Sequence, residues 1–377
     1  MRVTLFLDHA CNLRCTYCYN GEKFSRRMSS DVMRRAINLV LAQPAHPALR
    51  TQVSFFGGEP LLAMDLVDEA VTYARARAAA VGRRVVFHLV TNGTLMGPET
   101  VERLVTAQVQ VAVSLDGCAA AHNATRRYAN GRPSHADVAA HVRGLAQRVA
   151  PGGFKVMSVV DPANVGHLGS VLDAALELGC LDVGINVNHA AAWDDDARAA
   201  YARGLRELGD RYVAACRRGI RFKLALLDSK IITHLRGGFS PEERCDFGCE
   251  ELAVAPSGRL YPCDRLVGMD DRDELVIGDV WRGVDVARRD ALVEEKNAEP
   301  EDCRACALAP RCAHWCGCVN HAMTGRVGEV SGLFCWFEQC AIDEADRCAA
   351  VLHAERNAVF LEKFYPRAPD ALLRVLA

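Results

Sequence analysis

Six short apolar runs separated by helix-length stretches limit what this chain can fold into. Val3–Leu7, Gln52–Phe56, Val85–Val90, Val109–Val113, Lys155–Val160 and Asp182–Val187 read as strands. Between the first two, Ser29 or Ser30 can cap a helix whose Met33, Ile37 and Val40 share one face. Similar stretches follow at Met64–Ala80, Glu99–Gln108, Asp137–Val149, Val165–Leu178 and Asp196–Arg218. Strands alternating with helices imply right-handed parallel crossovers. The expected class is α/β, either an incomplete barrel or an open doubly wound sheet.

Each expected strand ends in a polar or glycine-containing loop. Cys11–Cys18 follows the first, Gly57-Gly58-Glu59-Pro60 the second and Thr91-Asn92-Gly93 the third. Ser114-Leu115-Asp116-Gly117, Asp161-Pro162-Ala163-Asn164 and Asn186-Val187-Asn188-His189 follow the others. Parallel β/α folds build their sites from such C-terminal loops. Taken singly, Gly-Gly, Asn-Gly and Asp-Gly are ordinary turn chemistry. Six of them on one rim make a site.

The 377 residues are enough for two or three domains. A net charge of -2 with 24% charged residues gives no sign of nucleic-acid or anionic-membrane binding. No apolar run approaches the ~20 residues of a membrane span. Met1 runs straight into a strand without a signal-peptide apolar region. The expectation is a soluble, cytoplasmic protein. Seventeen cysteines in such a chain argue for metal rather than disulfides, because the cytosol keeps thiols reduced.

Cys11, Cys15 and Cys18 stand in the spacing C-x3-C-x2-C, directly after the first strand. Iron–sulfur clusters are normally held by four thiolates. A loop offering three to a cubane leaves one iron open, much as catalytic zinc keeps a free position. With Tyr17 before the last Cys and the loops above in register behind it, the chain resembles the radical S-adenosylmethionine (SAM) enzymes. The resemblance implies that SAM chelates the open iron and is cleaved to a 5'-deoxyadenosyl radical that takes hydrogen from substrate. It implies a partial (β/α)6 TIM barrel in which Gly57, Gly58 and Glu59 bind the SAM amino group. Ser114 and Asp116 would face its carboxylate or ribose, and Asn92 would line the same cavity. His122-Asn123-Ala124-Thr125-Arg126 resembles a family segment with Arg four residues after the His, making Arg126 a candidate carboxylate clamp. His9, His88, His167 and His234 lack ligand spacing and read as surface or core histidines. Asp194-Asp195-Asp196 reads as a solvated helix N-terminus.

Beyond about Arg236 the composition shifts, with Gly237-Gly238, Ser240-Pro241 and rising cysteine density. The pair Cys303 and Cys306, two residues apart, by spacing alone suits zinc as well as iron–sulfur. The whole array runs C-x12-G-x4-C from Cys245 to Cys263, then C-x2-C-x5-C-x3-C from Cys303 to Cys316, then Cys335. It resembles the SPASM domain, a radical SAM extension that carries two auxiliary 4Fe-4S clusters. By that pattern Cys245, Cys249, Cys263 and Cys316 hold one cluster, while Cys303, Cys306, Cys312 and Cys335 hold the other. Cys318 competes with Cys316 as ligand, and Cys245 and Cys249 are only four apart. Cys118, Cys180, Cys216, Cys318, Cys340 and Cys348 are left over, the first three reading as small buried apolar residues. Asp264 follows Cys263 and is a candidate general base, as a similar Pro-Cys-Asp segment implies in anaerobic sulfatase maturases.

The expected division is 1–235 radical SAM core, 236–345 SPASM domain and 346–377 helical tail, with Val351, Leu361 and Leu373 packing. The resemblance implies a peptide-modifying oxidoreductase. The first reading is a maturase of ribosomally made, post-translationally modified peptides (RiPPs), which crosslinks or oxidises a side chain of a small precursor peptide. The second is a sulfatase maturase making formylglycine, and the third a non-catalytic iron–sulfur electron carrier. A flavodoxin- or ferredoxin-type reductant is implied. Because the chain starts at the first strand, leader recognition is expected from a separate leader-binding protein, the SPASM surface or the tail.

Overall fold

A computed structural model of the chain describes residues 1–43 and 50–365, so Leu373 lies outside the described residues. The strands are β1 (Arg2–Phe6), β2 (Thr51–Phe56), β3 (Val85–Thr91), β4 (Val109–Ser114), β5 (Phe154–Val160), β6 (Asp182–Val187), β7 (Lys223–Leu224), β8 (Glu251–Val254) and β9 (Leu260–Tyr261). The first helices are α1 (Ser30–Ala42), α2 (Met64–Ala80), α3 (Pro98–Thr106), α4 (Ala119–Thr125), α5 (His135–Ala146) and α6 (Val171–Glu177). They are followed by α7 (Asp195–Arg217), α8 (Ala225–Arg236), α9 (Val286–Asn297), α10 (Glu301–Arg304), α11 (Gly317–Thr324), α12 (Gly332–Ala354) and α13 (Ala358–Phe364). Among the described residues no helix is long and apolar enough to cross a membrane.

The chain divides into two compact units. The first comprises Met1–Ser114, Arg126–Val149 and Cys245–Ala298; the second comprises Leu115–Thr125, Ala150–Arg244 and Glu299–Ala377.

In the first unit the strand order is β4-β3-β2-β1-β8-β9. All neighbours are parallel except β8 and β9, which are antiparallel. Alternate residues of β2 are buried, as the period of a strand between layers requires. Ser29 caps α1 by accepting from the Val32 amide, and Val32, Met33, Ala36, Ile37, Val40 and Leu41 form its buried face. Segment 245–298 joins the N-terminal strands. Val3 pairs with both Val53 and Leu252, and the Arg2 amide donates to the Glu250 carbonyl at 2.6 Å. The Arg2 guanidinium reaches Asp246 at 2.9 Å and Glu251 at 3.1 Å.

In the second unit β7, β6 and β5 run parallel in that order. Asp194 caps α7 through the Ala197 amide, so the acidic triplet is a helix N-terminus. Helix α12 packs on α7 and α8. Trp193, Tyr201, Trp336 and Phe337 interlock there edge to face or tilted, with centroids 4.8–5.9 Å apart. Asp228 accepts from Leu224 N–H and Tyr212 O–H, each at 2.8 Å, and pairs with Lys363 at 2.6 Å. Cys180, Cys216 and Cys348 are buried and Cys118 is half-buried.

The loops after β1 and β2 touch backbone to backbone. Gly58 N–H donates to the Asp8 carbonyl at 2.8 Å and Glu59 N–H to the Ala10 carbonyl at 2.9 Å. A Cβ on Gly57, whose φ is +138°, would stand 2.5 Å from the Asp8 oxygen, and one on Gly58 would collide with the Ala10 carbonyl. The obstruction in both cases is backbone, which cannot swing aside. Gly58→Ala is expected to destabilise the protein by about 1–3 kcal/mol, the usual range for overpacking. It should also lower the iron retained after reconstitution. Unchanged denaturant midpoint and iron content would show that this close approach is dispensable.

Candidate functional site

The buried carboxylate of Glu59 organises the loops at the C-terminal ends of β1, β2 and β3. One oxygen accepts from Thr91 O–H at 2.6 Å and Leu61 N–H at 3.0 Å, and the other from Asn92 N–H at 2.7 Å. Burial raises its pKa above the usual carboxylate range, while these three bonds and the charge of Arg126 oppose the rise. Asn92, oriented by that bond, donates from its side-chain amide to Asn12 Oδ1 at 2.8 Å and Cys11 Sγ at 3.7 Å. Its own Oδ1 accepts from Thr94 N–H and O–H at 2.9 and 2.7 Å. Asn12 returns a bond to Thr94 at 2.8 Å, and Asn20 ties the far end of the cysteine loop to the Gly57 carbonyl at 3.0 Å.

The sulfurs of Cys11 and Cys18 receive N–H donors from the folded chain. Cys11 Sγ accepts from Leu13 N–H at 3.4 Å besides Asn92, and Cys18 Sγ accepts from the Lys23 ammonium at 3.0 Å. Cys15 lies within electrostatic reach of Cys11. Burial pushes the Cys11 thiol up to about 11, despite help from the Leu13 and Asn92 donors. Iron must displace that proton, since the metal ligand is the thiolate. Donors aimed at sulfur suit an anionic cluster, so the residues present fit one. Among the described residues no group of three or more His, Cys, Asp or Glu converges as on a single metal ion. A cubane binds each thiolate to a different iron and spreads its ligands more widely.

Arg126 donates to the Tyr17 hydroxyl at 2.6 Å, with its guanidinium 5.7 Å from the ring centre. The segment behind it zips onto the cysteine loop, Arg14 N–H to the Arg127 carbonyl at 2.8 Å and Ala129 N–H to the Asn12 carbonyl at 3.0 Å. Ser114 ends β4 and is half-buried. Asp116 belongs to the second unit. Its carboxylate accepts from Val159 N–H at 2.8 Å and Thr125 O–H at 3.0 Å, and its own N–H meets His122 Nδ1 at 3.3 Å.

His9, two residues before Cys11, is buried between Phe24 and Phe6 at 4.5 and 4.7 Å, and neither ring nitrogen has a hydrogen-bond partner. Burial lowers its pKa. It is a core histidine, stacked and neutral. His234 is half-exposed and 3.1 Å from Asp346.

Of the C-terminal cysteines, Cys245, Cys249 and Cys263 lie in the first unit. The Cys263 thiol donates to Asp264 Oδ1 at 3.4 Å, and Asp264 opens a short 3-10 turn. Tyr19, next to Cys18, stacks on Phe56 at 6.2 Å with Arg265 over its ring at 5.7 Å. Burial raises its phenol pKa, and the charges of Asp264, Cys263 and Cys18 raise it further while that of Arg265 opposes them. Tyr19, Gly21, Met269, Asp271, Arg272 and Glu274 line a cleft of about 200 Å³ beside it. Cys303, Cys306, Cys312, Cys316 and Cys335 lie in the second unit. Burial and then the neighbouring Cys335 and Cys306 push the Cys303 thiol up. The Cys316 and Cys318 sulfurs are 3.6 Å apart, with Cys316 at the cap of α11.

Sequence reasoning passed over Asn12, Asn20, Lys23 and Thr94, the polar frame of the cysteine loop. Asn12 adjoins Cys11 and Asn20 lies two residues beyond Cys18, which is the local signal they carry. Lys23 and Thr94 act through the fold.

Residues 7–190 match the model of the radical SAM superfamily. Over 327 residues the chain is 25% identical to the serine-type anaerobic sulfatase-maturating enzyme of Klebsiella aerogenes, covering 83% of this chain and 78% of that protein. Over 338 residues it is 26% identical to the PqqA peptide cyclase of Rhodopseudomonas palustris, covering 86% and 84%. Native anSMEcpe with bound AdoMet superposes with a TM-score of 0.79 at 20% identity, over 94% of this chain and 100% of that one. The same protein with AdoMet and Cp18Cys peptide gives 0.78 at 20% identity, over 94% and 99%. This likeness shows the fold, and it is the α/β class with parallel strands expected from the six apolar runs. Residues 7–190, which contain the C-x3-C-x2-C loop, are a radical SAM domain, a family whose chemistry uses SAM and a 4Fe-4S cluster, and the similar proteins are named as enzymes.

Proposed function

We propose that this enzyme modifies a side chain of a small ribosomal precursor peptide, forming a thioether or carbon–carbon crosslink or oxidising the residue. The observation that carries the reading is the contact between Tyr19, which follows Cys18, and Arg265, which follows Asp264, the guanidinium lying 5.7 Å from the ring centre. On this reading Asp264 would be the carboxylate beside the loop where hydrogen abstraction begins. Similarity along most of the chain to a protein named as a peptide cyclase supports the substrate class. Similarity to a sulfatase-maturating enzyme keeps a second reading in view, oxidation of a sulfatase Cys or Ser to formylglycine.

When bound, SAM and its cluster supply one-electron cleavage and abstraction of a hydrogen atom. Cys11, Cys15 and Cys18 would hold three irons, with Asn92 and Lys23 donating to sulfur. Gly57, Gly58 and Glu59 would receive the SAM ammonium, to which the buried charge of Glu59 is complementary. Ser114 and Asp116 would face its carboxylate or ribose, and Arg126, oriented by Tyr17, would clamp the carboxylate. Asp264 would accept a proton from the substrate. Cys245, Cys249 and Cys263 with Cys316 or Cys318 would hold one auxiliary cluster, and Cys303, Cys306, Cys312 and Cys335 another. On this reading 1–235, 236–345 and 346–377 are the functional modules, the protein works in the cytoplasm, and a flavodoxin- or ferredoxin-type protein reduces it. Leader recognition by a separate protein fits the same scheme.

Anaerobically reconstituted protein should bind about twelve Fe per chain, three clusters of four, and cleave SAM when reduced. Cys11, Cys15 and Cys18 replaced together by Ala should abolish cleavage; retained cleavage would refute the site. Asp264→Asn should leave SAM cleavage intact and lower product formation by about a hundredfold or more, the scale of a lost general base. Unchanged product yield would remove Asp264 from the chemistry. Co-expression with a short peptide encoded beside the gene should reduce the peptide's mass by one pair of hydrogens. An unaltered peptide, with formylglycine appearing in a co-expressed sulfatase instead, would reverse the ranking.

A further inference from the structure

We propose that the buried ion pair of Lys230 and Glu338 positions the Cys312 loop and sets the reduction potential of a cluster held by Cys303, Cys306, Cys312 and Cys335. The inference rests on the auxiliary-cluster reading above, and it assigns work to two residues that lack any ligand spacing. All of the groups involved lie in the second unit.

Lys230 is on α8 and its side chain is 4% exposed; Glu338 is on α12 and 15% exposed. Their charged atoms meet at 2.7 Å. A lysine and a glutamate are almost never buried unless paired, and a pair spanning two helices has to be matched in place. Its remaining bonds all go to the cysteine loop. The Glu338 oxygen that meets Lys230 also accepts from Ala313 N–H at 2.6 Å. The Lys230 ammonium donates to the Arg311 carbonyl at 3.1 Å. Residues 311 and 313 therefore flank Cys312 with one bond each from the pair. Arg311 adds a fork to Asp346 on α12 at 2.6 and 2.8 Å and a bond to the Lys230 carbonyl at 3.0 Å.

The pair also lies close to the sulfurs themselves. The charges of Glu338 and Lys230 act on the Cys312 thiol, and that of Glu338 acts on Cys335 as well. Cys335 in turn interacts with Cys303 and Cys306. Reduction adds one electron to a cluster that already carries negative charge. A buried ammonium stabilises that electron and a buried carboxylate opposes it, and neither is screened as it would be in water. Cluster potentials respond to net charge, hydrogen bonding at sulfur and exposure, and residues that orient metal ligands commonly tune the metal. Here both charges are fixed and act in opposite directions.

The test is spectroelectrochemical titration of the reconstituted protein, monitored by electron paramagnetic resonance, with iron counted for every variant. Lys230→Met should move one auxiliary signal to a more negative potential, and Glu338→Gln should move the same signal to a more positive one. Lys230→Arg, which keeps the charge, should stay near the parent value, and the SAM-cluster signal should not move in any variant. Two variants that keep their iron with no change in potential would overturn the tuning role. Shifts in the same direction would mean a loosened site rather than two opposed charges, and would overturn it equally. A Cys303/Cys306/Cys312/Cys335 to Ala variant that loses no iron would instead refute the cluster reading beneath the proposal. The two failures are therefore distinguishable.

Discussion

The buried Glu59 carboxylate is the interaction on which the first unit's loops depend. Taking a carboxylate out of water costs several kcal/mol even after relaxation. Hydrogen bonds to a charged group return about 1.5–3 kcal/mol each. Three such bonds, from Leu61, Thr91 and Asn92, are of the size needed to offset that cost, with Arg126 adding charge from nearby. Because the donors come from the loops after β2 and β3, the energy that keeps Glu59 buried also fixes those loops. Asn92 then passes the constraint to Asn12 and Cys11. The glycines ahead of Glu59 allow the same chain to lie against the Asp8–Ala10 backbone. One acidic residue and two missing side chains hold the cysteine loop to its neighbours.

This arrangement changes the meaning of a motif. Gly-Gly-Glu read along the sequence is a short ligand-binding signature. In three dimensions each member has a structural duty as well: backbone clearance for the glycines and loop anchoring for Glu59. The two roles are compatible, since a buried anion that cannot rotate is a pre-organised partner for a cationic group. Asp116 shows the same economy, its carboxylate holding β5 and α4 by Val159 and Thr125.

The strands and helices through α7, except the seven-residue α4, were legible because each repeats its pattern locally. Asp182–Val187 and Met64–Ala80 coincide with β6 and α2, and the other ends agree to within three residues. Val165–Leu178 differs in kind, opening as a 3-10 turn before α6 begins at Val171. Hidden from the sequence were features set by distant partners. β8 is four residues long and finds its place only by pairing with β1, about 250 residues earlier in the chain. Arg2 beside Asp246 and Glu251 is the charge record of that pairing, but arginine near a terminus carries no such message alone. Of the candidate site, the cysteines and the loop glycines stand out by spacing. The polar frame does not, because Asn12, Thr94 and Lys23 are ordinary loop residues until the fold aims them.

The two cysteine fields are held by different physics. Around Cys11 the donors are amides, neutral and directional, while the ammonium of Lys23 brings a full charge to Cys18. Around Cys312 the frame is ionic, with Lys230, Glu338, Arg311 and Asp346 joining α8 and α12 to the loop. Amide donors orient ligands while adding little net charge, which would suit a loop that held a cluster with one coordination position open, as proposed above. Buried ions impose a field along with a geometry. That field is generated by helices packed within the second unit. A group whose task is to pass or accept electrons benefits from such a fixed environment, since its potential then depends on the fold and not on the substrate.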